Sequence, residues 1–472
     1  MKILLAIHHF APRYTGGVEL VTLRAARWLL AHRHEVEIVC VETIDRGDDT
    51  AVSVHSDEYD GIPVHRLSFN LAAQGDPFQT SYRNPHIGRW FATHLRTVRP
   101  DILHIQSCYL LSASVIDAAH HADVPTVVSL HDYWFICART TLLHPDRSRC
   151  AGPSPAHCAW CLKTERRRYR LLDRASRGSL GAAVRGLMHR PTVAARLGWH
   201  RSIAAVTERQ AYLTAQLKAA GMILTPSRFV RELMIRQGLD PDYVRCVAHG
   251  LDVGGWQRPA HAERRNGQLR IGYLGNLLPH KGAHVLIEAF KRLPGDASLQ
   301  LHLHGDPDNA PDYTARLQRM AERDSRIRFA GRYDNRTVAM LLSKMDVLVV
   351  PSLCFEVGPL VTLEAFASRT PVVAADLPNM KYQVTPEVDG LLYPADDPVA
   401  LAQQLQRLRD DPSLLDRLRA GIRPVRTSDE EMGEWLHLYE EVLRRASVPI
   451  EDRRPSDRRA ATGGGAMTER SP

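Results

Sequence analysis

A chain of 472 residues is too long for one ordinary core, so two domains of about 200 residues each are expected. With 44% apolar and 24% charged residues, the composition is that of a soluble globular protein and excludes a disordered or membrane-spanning one. The formal net charge of +8 is unevenly placed: Lys163 to Arg201 holds eleven Lys or Arg against Glu165 and Asp173, a local +9 that leaves the remainder at about −1.

The opening run KILLAIHHF has five consecutive apolar residues, Ile3 to Ile7. That is too few for a signal segment or a membrane span, and it reads as a first buried strand. Helical spacing follows in VELVTLRAARWLL, where Leu20, Leu23, Ala26 and Leu30 recur. Short apolar runs then continue through EVEIVCV, GIPVHRL, DILHIQ, TVVSLH and MILTPS, several followed by helical segments, the pattern of a parallel sheet with crossover helices. A second series begins at LRIGYLG and runs through LQLHLHG, IRFAG, VLVVPS, PVVAAD and GLLYP, with helices at AHVLIEAFKRL and PVALAQQLQRL. The expected fold class is α/β, two doubly wound Rossmann-like domains facing across a cleft, since ligands of such sheets bind beyond the carboxyl ends of the strands. The Gly-, Pro- and charge-rich stretch AHGLDVGGWQRPAHAERRNGQ marks the boundary, giving domains over 1–255 and 256–430. An amphipathic last helix over 431–446 is drawn as able to return to the first domain, and 447–472 is expected to be disordered.

Four places along the chain could carry chemistry. In HHFAPRYTGGVEL, Gly16 and Gly17 precede a helix and permit close backbone approach to a ligand, or form an ordinary turn; GxGxxG is absent, which argues against a nicotinamide cofactor. In SLHDYWFIC, His131 and Asp132 stand at the carboxyl end of the fifth strand of the first domain, and Tyr133, Trp134 and Phe135 read as packing. In GNLLPHKGAHVLIEAF, Lys281 and Gly282 precede a helix, placing Lys281 to pair with a diphosphate, although the loop is not a P-loop. In CFEVGPLVTLEAFA, Gly358 and Pro359 separate a loop carboxylate, Glu356, from a helix carboxylate, Glu364, with Pro359 expected in the helix's first turn. The helix start suits a phosphate, which would leave Glu356 for sugar hydroxyls and Glu364 for a ribose diol. Solvated glutamates are the plainer alternative.

Taken together, GGVE at 16–19, HD at 131–132, TPSRFVRELMIRQG at 225–238, HGLD at 249–252, GNLLPHKG at 275–282 and EVGPLVTLE at 356–364 resemble the retaining glycosyltransferases of the family-4 type, with the GT-B fold. The resemblance spans about residues 1–445 and implies a nucleotide-diphosphate sugar as donor. In these terms Glu356 contacts the donor sugar, Glu364 the ribose, and Val357, Gly358, Pro359 and Leu360 with Lys281 and Asn276 hold the diphosphate. Gly16 and Gly17 join the donor-binding set, and His131 faces the reacting sugar. The implied catalytic residues are His131, Glu356 and Lys281. The implied chemistry is transfer with retention to an acceptor hydroxyl, no metal being required because Lys281 and helix N–H groups stabilise the leaving charge. Two positions depart from the family pattern: His249 where Asn is usual, and Asn276 with Leu277 where a basic residue is usual.

Cys137, Cys150, Cys158 and Cys161 have the form C-x12-C-x7-C-x2-C, open to a structural zinc, free thiols or two disulfides. The other four cysteines are isolated, and buried reduced thiols fit a cytoplasmic setting. The basic segment 163–201 reads either as a contact with an anionic membrane near a lipid-linked acceptor, placing the protein at the inner face, or as a solvated helical pair. The competing functions are a sugar-nucleotide epimerase of the same fold and a zinc-stabilised nucleic-acid-binding protein, with no nucleic acid expected as partner.

Overall fold

The computed structural model describes residues 1–46, 51–176, 179–188, 196, 199–254, 256, 268–295 and 298–447. Most of the expected boundary linker, the tail beyond 447 and parts of the basic segment 163–201 lie outside the described residues. The chain divides into two compact units. One holds Met1–Pro226, Val230–Val247 and the chain from Met432 on, and the other holds Ser227–Phe229 and Ala248–Glu431.

The first unit is built on eight strands: β1 (Lys2–Ile7), β2 (Glu35–Thr43), β3 (Ser53–Tyr59), β4 (Ile62–Ser68), β5 (Ile102–Ile105), β6 (Thr126–Ser129), β7 (Met222–Thr225) and β8 (Val244–Cys246). Their order is β3-β4-β2-β1-β5-β6-β7-β8, parallel except where β3 runs antiparallel to β4. β1 lies inside the sheet, and Ile3 to Ile7 are all fully buried, which is why that stretch is apolar at every position. β3 is the strand that apolar runs do not reveal. Its sequence SVHSDEY is almost wholly exposed at the sheet edge, where polar side chains blunt further pairing. Asp60 and Gly61 both have positive φ, at 57° and 75°, and close the β3–β4 hairpin between the paired residues Tyr59 and Ile62, the conformation that Asp-Gly favours. TVVSLH is therefore the sixth strand in chain order, not the fifth.

The helix Gly17–Ala31 follows β1 and buries Glu19, Val21, Thr22, Leu23, Ala25, Ala26 and Leu29, so Leu23 and Ala26 of the expected stripe face inward. Leu20 and Leu30 are only half-buried, so the inward stripe is rotated from the one that the leucines suggest. From Met432 on, the helix Ser428–Ser447 buries Trp435, Tyr439 and Val442. The Tyr439 hydroxyl lies 2.6 Å from His104 Nδ1, and His104 Nε2 lies 2.8 Å from Ser129 Oγ.

The second unit has six parallel strands: β9 (Leu269–Leu274), β10 (Leu299–His304), β11 (Ile327–Gly331), β12 (Val347–Val350), β13 (Val372–Ala375) and β14 (Gly390–Tyr393), in the order β11-β10-β9-β12-β13-β14. The central strands β9, β12 and β13 are mostly buried and read as short apolar runs, while β10 and β11 alternate buried with half-buried or exposed residues toward the sheet edge. In each unit the chain leaves the first strand in one direction and later returns to the other side, so β1/β5 and β9/β12 are topological switch points. The loops after these strands open a crevice at the carboxyl edge, where ligands of this architecture bind. Among the described residues, no helix is long and apolar enough to cross a membrane.

Candidate functional site

In the second unit, the loop after β9 ends in a single tight turn, Pro279–Lys281, and the loop after β12 runs from Pro351 to Pro359. Gly282 locks them together. Its φ is +76°, and a Cβ there would stand 1.8 Å from the Pro351 carbonyl oxygen, so only glycine allows this approach. The Leu353 N–H donates to the His280 carbonyl at 2.8 Å. The contact brings Lys281 Nζ to 2.7 Å from Glu356 Oε1 and 2.9 Å from Oε2, while Ser352 Oγ donates to Oε1.

Glu356 is buried at 8% exposure. Burial pushes its carboxyl up, but the Lys281 charge and the hydrogen bonds from Lys281 and Ser352 outweigh this and hold it below its ordinary value. Burial likewise pulls Lys281 down, and the Glu356 charge more than offsets it, leaving the ammonium above its ordinary value. Both partners therefore stay ionised at neutral pH. Burial, with the Lys281 charge adding, holds His280 down to about 4, so it is neutral there.

Val357, Gly358, Pro359 and Leu360 are half-buried beside this pair in the chain. Pro359 is the N-cap and Leu360 opens the helix Leu360–Ala367. That corrects the expectation of Pro359 in the first turn: its ψ of 110° is extended. The first N–H groups of the helix have no partner within it. Glu364 is half-buried on this helix, and its charge, after burial, raises the Tyr333 phenol. Asn276 is exposed; its carbonyl accepts from Tyr273 Oη at 2.8 Å and its Oδ1 from Asn309 Nδ2 at 3.0 Å. His249 has a structural partner, its Nδ1 lying 2.9 Å from Glu431 Oε1, while the Gly250 N–H donates to Glu431 Oε2 at 2.8 Å. Ser352 and His280 were missed by sequence reasoning. Only their adjacency to β12 and to Lys281 could have signalled them.

His131, Gly16 and Gly17 belong to the first unit. A Cβ on Gly16 would come within 2.7 Å of Glu19 Oε2, so the bare glycine makes room for a buried carboxylate that burial pushes up. Glu19 Oε1 lies 3.5 Å from His8 Nε2. Burial, with His9 adding, drives the His8 imidazole down to about 3, and its buried Nδ1 has no hydrogen-bond partner. His131 Nε2 lies 3.1 Å from Gln106 Oε1 at the ends of β6 and β5, and Gln106 Nε2 is also unpartnered. His8, Glu19 and Gln106 are polar groups at the β1/β5 switch point; Glu19 closes the GGVE element at 16–19 but was given no role of its own, and sequence reasoning did not single out His8 or Gln106, each next to a strand end. Tyr133, Trp134 and Phe135 are buried packing residues.

Asp132 accepts the Trp134 N–H at 2.7 Å, and burial pushes its carboxyl up to about 6 from an ordinary 3.8. Between those values the folded state binds more protons than the unfolded one, so this group's contribution to stability falls as pH rises from about 4 to about 6 and then levels. Thermal unfolding across that range is expected to show wild type losing stability relative to Asp132→Asn.

Cys137 and Cys150 stand in the irregular segment after His131, and Cys158 and Cys161 lie on the helix Pro155–Lys163. None of the eight cysteines is joined in a disulfide. Burial pushes the Cys161 thiol up to about 12 against the opposing charge of Arg139, with Cys137, Cys158 and Cys150 adding. The ligand set gathered within 4.8 Å among the described residues is a different one, Glu37, His65 and His94.

Solved structures share this architecture. Anabaena HepE in complex with UDP and glucose matches with a TM-score of 0.62 at 16% identity, over 93% of this chain and 99% of that one. Sucrose-phosphate synthase from Thermosynechococcus elongatus matches with a TM-score of 0.64 at 18% identity, over 94% and 99%. At such identities the likeness shows the fold, which is GT-B. Residues 15–254 match Glycosyltransferase Family 4 and residues 268–411 match Glycosyl transferases group 1. The chain belongs to Glycosyltransferase Family 4. The D-inositol 3-phosphate glycosyltransferase of Jonesia denitrificans is 29% identical over 251 residues, 49% of this chain and 59% of that protein. The glycogen synthase of Mycobacterium tuberculosis is 24% identical over 450 residues, 91% of each. The chain spans only about half to three-fifths of the length of the first curated relatives that it matches.

Proposed function

We propose that the chain is a retaining glycosyltransferase of hexosyltransferase type. It moves a sugar from a nucleotide-diphosphate sugar to an acceptor hydroxyl in the synthesis of a polysaccharide, glycolipid or other glycoconjugate. The observation that carries this reading is the ionised Lys281–Glu356 pair at the β9/β12 switch point, next to the start of the helix Leu360–Ala367. A cation beside free helix N–H groups suits a diphosphate. Glu356 positions Lys281 and can accept from sugar hydroxyls, and Glu364 is assigned to the ribose. The anomeric C–O bond to the diphosphate breaks with its electron pair going to the phosphate oxygen, whose charge Lys281 and the N–H groups stabilise. The acceptor hydroxyl attacks from the same face and passes its proton to that oxygen. His131 is assigned to the reacting sugar. Family membership and the UDP and glucose held by Anabaena HepE support the donor class.

A thermal-shift and hydrolysis screen over nucleotide-diphosphate sugars is expected to give a selective response to one donor, without added divalent metal. Conversion of that donor to an epimer in the absence of acceptor would make the protein an epimerase instead. No response to any donor would remove the reading.

A further inference from the structure

Glu37, His65 and His94 have no part in the proposed transfer. Glu37 is the third residue of β2 and Lys2 the first of β1, so the cluster sits toward the amino ends of the strands, opposite the edge that carries Gly16 and His131. β2 and β4 are parallel neighbours with Val39 paired to His65, which puts Glu37, two residues before Val39, on the same sheet face as His65. The helix Pro85–Val98 brings His94 to that face.

We propose that Glu37, His65 and His94 form a binding site for one divalent cation of the zinc type, which fastens the helix Pro85–Val98 to the sheet. His65 Nε2 lies 3.3 Å and His94 Nε2 3.9 Å from Glu37 Oε2, and the three donor atoms all fall within 4.8 Å of one another. In a tetrahedral zinc shell with bonds of about 2.0–2.1 Å, neighbouring donors stand about 3.3 Å apart, so a small movement of His94 closes the set.

Three further observations favour a ligand over a simple ion cluster. His94 Nε2 is buried without any hydrogen-bond partner, which is costly unless something fills the position. His65 Nδ1 is 2.8 Å from Ser56 Oγ, an outer contact that fixes the ring and presents Nε2 inward. The His94 ring stacks on Trp90, with centroids 4.6 Å apart and planes 14° from parallel, so its direction is set in advance. The side chains of Glu37, His65 and His94 are 19%, 20% and 13% exposed, which leaves an approach for the ion and a fourth position for water. Lys2 Nζ lies 3.2 Å from Glu37 Oε1. It reserves that oxygen, makes the carboxylate monodentate through Oε2, and lowers affinity by its charge.

The test uses the full chain, stripped with chelator and titrated with Zn²⁺ by calorimetry and with Co²⁺ by absorption. Wild type is expected to bind one equivalent through nitrogen and oxygen donors, seen as cobalt d–d bands without a thiolate charge-transfer band. That equivalent is lost in His65→Asn, His94→Ala and Glu37→Gln. Zn²⁺ should raise the unfolding midpoint of wild type by several degrees more than that of Glu37→Gln. Any equivalent held by the four cysteines carries the thiolate band and persists in all three variants. Because His94→Ala also removes the stack on Trp90, the isosteric Glu37→Gln is decisive. Equal stoichiometry in wild type and Glu37→Gln, or cobalt binding by wild type only with the thiolate band, overturns the proposal.

Discussion

Lys281→Ala is expected to lower sugar transfer by about 10²–10³-fold, the usual cost of removing one preorganised group that stabilises developing charge. The loss should fall mainly on kcat, because the charge that Lys281 meets is greatest when the diphosphate departs. The variant also strands Glu356, which is 8% exposed and retains Ser352 but not its cation. Removing one partner of a buried ion pair costs about 3–5 kcal/mol, so unfolding midpoint and rate must be measured together.

The pH dependence of stability separates the two effects. Glu356 is held below its ordinary 4.5, so its contribution is complete above that value and is lost as pH falls through the folded value. Lys281 is held above its ordinary 10.5, so its contribution is complete below that value and is lost as pH rises through the folded value. The pair therefore stabilises across a plateau from about pH 5 to about pH 10 and fails on both sides. In the double variant Lys281→Met/Glu356→Gln, neither charge is left unpaired. Stability should largely return and the pair's pH dependence should vanish, while transfer stays low. Near-normal transfer by Lys281→Ala would refute the role, and recovery of transfer in the double variant would reduce the pair to a structural one.

The sequence exposed this site unevenly. β9 and β12 are legible because strands buried on both faces are mostly apolar, Arg270 being the one charged position in β9, and Lys281 and Glu356 each stand in a loop after such a strand. Their meeting is not legible, since it depends on β12 crossing back to lie beside β9, and strand order is a tertiary choice that local patterning does not encode. β3 escaped for the opposite reason: an edge strand in water needs no apolar period, and only Asp60-Gly61 marked it. In Gly17–Ala31 the hidden part is different: Glu19 and Thr22 are buried by what surrounds them rather than by their own hydrophobicity. Glu37, His65 and His94 come from two strands and a helix, with no spacing that a linear motif could carry.

The loop approach that creates the site rests on one residue, and Gly282→Ala is expected to remove it at a cost of about 2–6 kcal/mol. Two terms combine. Holding alanine at a φ of +76° costs about 1–3 kcal/mol. Its Cβ would also meet the Pro351 carbonyl oxygen at 1.8 Å and the carbonyl carbon at 2.8 Å, so backbone must move, and overpacking of this kind costs about 1–3 kcal/mol more. For a unit of this size each kcal/mol lowers the midpoint by about 2–4 °C, so a fall of about 10 °C is the expected reading. Gly331→Ala is the matched control in the same unit. Its φ is +73° and a Cβ there would meet nothing within 4 Å, so it carries the backbone term alone and should fall by about a third to a half as much. Because the added methyl in Gly282→Ala finds relief only when the two loops part, Lys281 should leave Glu356 even in molecules that stay folded. Transfer measured well below the midpoint should then drop in Gly282→Ala but not in Gly331→Ala. If the two variants melted alike and transferred alike, the close approach to Pro351 would not be what holds Lys281 in place.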